Sequence, residues 1–156
     1  MSAETQPIDI ETRLEAVQRR IAAACERAHR PVDEVKILAV SKTKPRAAIE
    51  AAITAGQQHF GENYLQEAVA KIETIGTGPD WHFIGAIQSN KTRPIAEHFD
   101  WVHTVSSEKI CRRLNDQRPE HLGPLKIFLQ INIDQDPAKS GLDPEQLAEV
   151  IAAIEA

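Results

Sequence analysis

Apolar residues recur along this chain in two alternating rhythms. Ile10, Leu14, Val17, Ile21, Ala24 and Ala28 follow one another at steps of four and three, laying one apolar stripe on a long helix that ends before Pro31. From about Val35 to Ser41 the pattern shortens to a strand. Pro45 then stands at a first helical position, Ile49 and Ile53 supply a helix face, and Gly56 is its stop. A short strand around His59 and Phe60 precedes a helix carrying Leu65, Val69 and Ile72. Trp81 to Ile84 reads as a third strand, with Ser89 or Asn90 capping a short helix through Ala96. Trp101 to Val105 is a fourth, with Ser106 or Ser107 capping a helix through Leu114. The fifth strand is the strongest, because Leu125, Ile127, Leu129, Ile131 and Ile133 alternate with Lys126, Phe128, Gln130 and Asn132. Asp143-Pro144-Glu145-Gln146 then opens a helix whose stripe is Leu147, Ile151 and Ile154.

Five strands, each followed by a helix, imply an α/β fold with parallel pairing and right-handed crossovers. The choice lies between an open doubly wound sheet and a (β/α)8 barrel, and the pattern leaves both open. Either architecture gathers its ligand at the carboxyl ends of the strands, where Lys42, Asn63, His82, Gln88, Gln130 and Asn132 fall. In the third strand His82 alternates with Trp81 and Phe83. Those aromatics are therefore expected to face the helices and the imidazole the interior, and Trp101 is likewise expected to pack as core beneath a helix layer.

Composition narrows the function. The 156 residues are 42% hydrophobic and 26% charged, ordinary for one soluble domain, and the formal net charge of -5 argues against a nucleic-acid binder, which would carry a basic stripe. Cys25 and Cys111 form no CxxC pair and are expected to be reduced, small apolar groups in a cytoplasmic protein. Residues 1–7 are polar and no run is long enough for a membrane span, so neither export nor a membrane partner is expected. His29, His59, His82, His98, His103 and His121 show no HxxxH or HExxH pattern, and no metal site is expected; Gly76-Thr77-Gly78-Pro79 reads as a turn.

The residue with the sharpest chemistry is Lys42, at the end of an apolar strand and followed by Lys44 and Pro45. An amine condenses with an aldehyde only when unprotonated, and a lysine of ordinary pKa, about 10.4, is almost wholly charged at neutral pH. Burial at a strand end and a neighbouring ammonium both favour the neutral form, and this local sequence offers both. A solvated loop lysine is the competing reading.

Three longer runs carry a resemblance. They are Leu38-Ala39-Val40-Ser41-Lys42-Thr43-Lys44-Pro45, Phe60-Gly61-Glu62-Asn63-Tyr64-Leu65-Gln66-Glu67, and Trp81-His82-Phe83-Ile84-Gly85-Ala86-Ile87-Gln88-Ser89-Asn90-Lys91. With Gln130-Ile131-Asn132-Ile133 and Lys139-Ser140-Gly141 they resemble, in order and approximate spacing, the pyridoxal 5'-phosphate (PLP) homeostasis protein family, also called proline synthase co-transcribed proteins. That family is similar to the barrel domain of alanine racemase without its second domain. The resemblance implies a (β/α)8 TIM-type barrel, here about five βα units after an amino-terminal helix, holding PLP as a Schiff base on Lys42. Asn63 falls on the family's cofactor-facing asparagine, with a helix N-cap as its competing reading, and His82 is either a third cofactor contact or a satisfied core histidine. Lys139 reads as a solvated loop charge.

The resemblance further implies one PLP-binding domain over 1–156 that lacks strands six to eight. Family members continue into a Met-Gly-Met-Ser segment and later Gly-Ser and Arg-Ile-Gly stretches that hold the cofactor phosphate, and barrels of this class run to about 250 residues. The whole family form is expected to be a monomer, while a shortened chain could associate through the open edges of its first and fifth strands. The expected function is intracellular PLP homeostasis without substantial turnover, with PLP as the small-molecule partner. A PLP-dependent racemase and a remnant that binds nothing are the alternatives. Racemisation would need acid and base groups on opposite faces of the cofactor, and the one tyrosine, Tyr64, lies beside Asn63.

Overall fold

The computed structural model describes residues 9–155; the polar stretch 1–7 lies outside them. A long helix α1 (Ile10–Arg27) leads, capped by Asp9, whose carboxylate accepts from the Thr12 amide at 3.0 Å. Five βα units follow: β1 (Leu38–Val40) and α2 (Arg46–Thr54), β2 (His59–Glu62) and α3 (Leu65–Ile75), β3 (Asp80–Phe83) and α4 (Thr92–His98), β4 (Trp101–Val105) and α5 (Glu108–Gln117), β5 (Lys126–Leu129) and α6 (Leu147–Glu155). All strand pairs are parallel and the order β1-β2-β3-β4-β5 is that of the sequence. A doubly wound sheet reverses its order at a switch point, and this sheet does not, so the wall is that of a barrel with five consecutive units present.

The core lies between the sheet and its helices. Phe60, Trp81, Phe83 and Val102 project from the strands onto Ile49, Ala68, Ile95, Phe99, Ile110 and Leu114. Phe83 meets Phe99 edge to face at 5.2 Å between ring centres. Cys25 and Cys111 are free and buried, as expected of small apolar groups. No helix among the described residues is long and apolar enough to cross a membrane.

Three expectations need correction. Trp101 does not face the helices. Val102 takes that direction and is fully buried, so strand alternation turns Trp101 and His103 to the opposite face, where Trp101 stacks on His82 at 5.3 Å and on Phe128 at 5.6 Å. The fifth strand stops at Leu129 because the chain doubles back. Ile131 bridges Leu142, and Gln130 and Asn132 spend their side-chain amides on the carbonyls of Ser140 and Asp136, both at 2.8 Å, leaving Ile133 80% exposed. In α6 the buried residue is Val150, while Ile151 and Ile154 of the expected stripe stay exposed.

Candidate functional site

The carboxyl ends of β1 and β2 meet at one rim. Val40 pairs with Gly61, and the Ser41 amide continues the ladder onto the Gly61 carbonyl at 2.9 Å, so two residues further on Lys42 and Asn63 emerge side by side. Lys42 is exposed, as is Lys44, so the burial expected from a strand end is not supplied by the described residues. The reason is length: β1 ends at Val40, and Lys42 already sits in the turn that leads to Pro45 and α2.

Asn63 is half-buried, and its amide oxygen is shut away from solvent with no hydrogen-bond partner among the described residues. It does not cap α3, whose first flanking residue is Tyr64 and which has no side-chain cap. A buried acceptor left unsatisfied is unfavourable by about 1–3 kcal/mol, and such atoms call for an explanation. The backbone of Asn63 is pressed against the next strand's exit: a Cβ on Gly85 would lie 2.3 Å from the Asn63 carbonyl oxygen, so glycine is required there for the close approach. Asn63, Tyr64 and Phe83 line a small hollow with Ala86, Gln88 and Lys91.

His82 lies deeper. It pairs in register with Gly61, two residues before Asn63, and belongs to a row of imidazoles across the inner sheet face. His59 Nδ1 and His82 Nε2 are 3.1 Å apart, and His82 Nδ1 and His103 Nε2 are 2.9 Å apart. The row was missed because neither HxxxH nor HExxH describes it. The usable signal is the separation of 23 and then 21 residues, about one βα unit each, which aligns side chains on neighbouring parallel strands. His59, Asp80 and His82 bring potential ligand atoms within 4.8 Å, yet both ring nitrogens of His82 are engaged in the row, and the Lys126 ammonium acts on the same ring as a repelling charge.

Burial first, then the neighbouring His103 and His59, push the His82 imidazole from its ordinary 6.5 down to about 4, with Asp80 opposing; burial also lowers His103. Because the folded value lies below the unfolded one, the unfolded chain takes up the proton first. The contribution to stability is full above pH 6.5 and is lost as pH falls towards 4. Urea melts at pH 7.5 and 4.5 should show this as up to roughly 3 kcal/mol, and the corresponding slope should flatten in His82→Asn.

A second group on the other side of the sheet was not foreseen. Glu62, fully buried, and Lys71 of α3 form a 2.8 Å ion pair, and Lys71 also reaches Glu67 at 2.5 Å. The signals were present: Glu62 shares the helix-facing parity of Phe60, which demands a cation nearby, and Glu67 and Lys71 stand four apart on α3. Lys139 is exposed, as expected, and pairs with Asp134 at 3.3 Å.

Residues 12–156 match the family described as alanine racemase, N-terminal domain. The chain is 52% identical over 150 residues to a protein of Escherichia coli named pyridoxal phosphate homeostasis protein, covering 94% of this chain and 64% of that one. It therefore spans a little under two thirds of the length of that curated relative. Among solved structures, PipY of Synechococcus elongatus with PLP bound is 39% identical, with a TM-score of 0.72 over 92% of this chain and 62% of that chain. Alanine racemase from E. faecalis, 18% identical with a TM-score of 0.63 over 95% of this chain and 39% of that chain, shares the fold.

Proposed function

Because this chain belongs to the alanine racemase N-terminal-domain family, we propose that it binds pyridoxal 5'-phosphate for intracellular PLP homeostasis, holding the cofactor as a Schiff base on Lys42 without substantial turnover. The observation that carries the reading is the pairing, at one rim, of an open Lys42 amine with a buried Asn63 amide oxygen that lacks a partner among the described residues. The names of the relatives support the choice of ligand: a PLP homeostasis protein at 52% identity and a PLP-bound structure at 39%. A net charge of -5 favours a small molecule over nucleic acid.

When bound, the cofactor supplies an electrophilic aldehyde carbon and an electron-poor ring. The chain's own contributions are simple. Lys42 would be the residue that holds the cofactor, through its exposed side-chain amine; condensation of an amine with an aldehyde releases one water and needs no oxidant or reductant. Asn63 orients the group through its unpartnered oxygen, which accepts a donor and excludes an acceptor. His82, one layer below and tied on both nitrogens, would contribute to the floor of the site, its ring held in place by His59 and His103.

The test is to mix the purified chain with PLP, reduce with borohydride, digest and map the adduct by mass spectrometry. Modification of Lys42 is expected; an adduct elsewhere, or none, overturns the reading. Incubation with D- or L-alanine should yield no mirror form, and measurable racemisation would refute the absence of turnover.

A further inference from the structure

The backbone on both sides of Lys42 is held by charged side chains that contribute nothing to the rim itself. We propose that Glu62, Lys71 and Glu67 form a clamp that sets the direction in which the Lys42 side chain leaves the sheet, and so act as positioning residues for its amine; this rests on the reading of Lys42 as the PLP-binding lysine.

On the near side, the Lys71 ammonium donates to the Ser41 carbonyl at 2.8 Å, and the Ser41 hydroxyl donates to Glu62 Oε1 at 2.6 Å. On the far side, the Thr43 amide donates to Glu67 Oε1 at 2.7 Å, the oxygen that Lys71 also holds. Lys71 thus uses its three N–H groups on three oxygens, from Ser41, Glu62 and Glu67, and ties them into one unit. The Lys71 hydrogen bond, foremost, and the Thr43 amide hold the Glu67 carboxyl below its ordinary range, against the opposing effect of burial.

The reason for so much polar chemistry lies in the backbone. Thr43 has φ of 60°, a left-handed conformation that a β-branched residue avoids and that persists only where its surroundings fix it. Released from Glu67, Thr43 relaxes, and the turn that carries Lys42 swings. Buried charges in an otherwise apolar helix-facing layer are a poor way to gain stability, since apolar residues of similar volume often do as well. A geometric task explains their presence better. Lys71 itself is no rival amine, because it is buried and saturated with acceptors.

Two variants test the clamp. Lys71→Met removes its centre and leaves Glu62 as an uncompensated buried charge, so a loss of stability is expected together with the loss of positioning. Glu67→Ala removes the far arm and its ion pair with Lys71 but leaves the Lys71 bonds to Ser41 and Glu62, and since the Glu67 side chain is one-third exposed the fold should survive. In Glu67→Ala the Thr43 amide should exchange with solvent at least tenfold faster than in the wild type, and PLP should add to Lys42 roughly tenfold more slowly, with unchanged far-ultraviolet dichroism. Glu67→Gln keeps an acceptor oxygen for Thr43 and should restore both; a merely structural role for Glu67 predicts no such recovery in loading rate. If the wild type loads Lys42 and Glu67→Ala loads it equally fast, the clamp is wrong while the function stands. If the wild type never loads Lys42, the functional reading falls and takes the positioning role with it.

Discussion

Lys42→Ala should abolish the yellow absorbance expected when PLP is mixed with the chain, while far-ultraviolet dichroism and urea midpoint should stay where they were. The expected loss is essentially complete because the proposed condensation uses this one nitrogen, and alanine offers none. Folding is spared because the Lys42 side chain is exposed and enters no hydrogen bond or ion pair among the described residues; such replacements stay within about 0.5 kcal/mol. Lys44 and Lys139 are exposed too and will take up some aldehyde at high concentration, so colour should be compared at low PLP with the mapped adduct. Colour at the wild-type level in Lys42→Ala would assign the anchor to another lysine and sink the proposed function.

Phe83→Ala should lower the unfolding free energy by about 3–5 kcal/mol, the range for deleting a buried aromatic side chain. Phe83 is 2% exposed, lies edge-on against Phe99 and pairs in register with Glu62, so its removal opens a void under the rim between sheet and α4. Tyr64, 55% exposed beside the same hollow, is the control, since Tyr64→Ala should shift the urea midpoint little. Equal losses from both would mean that the core is not where the packing puts it.

Much of this was legible in the sequence because it is local. Ser107 caps α5, accepting from the Ile110 amide at 3.3 Å, and the five apolar runs all became strands. What escaped was set between units. The parity of β4 depends on which of Trp101 and Val102 finds the helix layer, and both are apolar, so alternation alone could not choose. The end of β5 depends on a loop that returns to pair Leu142 with Ile131. The histidine row and the Glu62–Lys71 pair each join residues on different elements, brought together only once the sheet forms. At the rim, Lys42 and Asn63 were placed together by strand-end reasoning, whereas the described residues do not give Lys42 the shelter expected for it.

The uninterrupted strand order also bears on how the chain reaches this state. Every strand docks on its immediate predecessor, so each closure spans only about 20 residues and never waits for a distant segment; its entropic penalty is nearly constant from one unit to the next. Growth of the sheet is then vectorial, able to keep pace with a nascent polypeptide leaving the ribosome, and folding should be quick for a parallel topology.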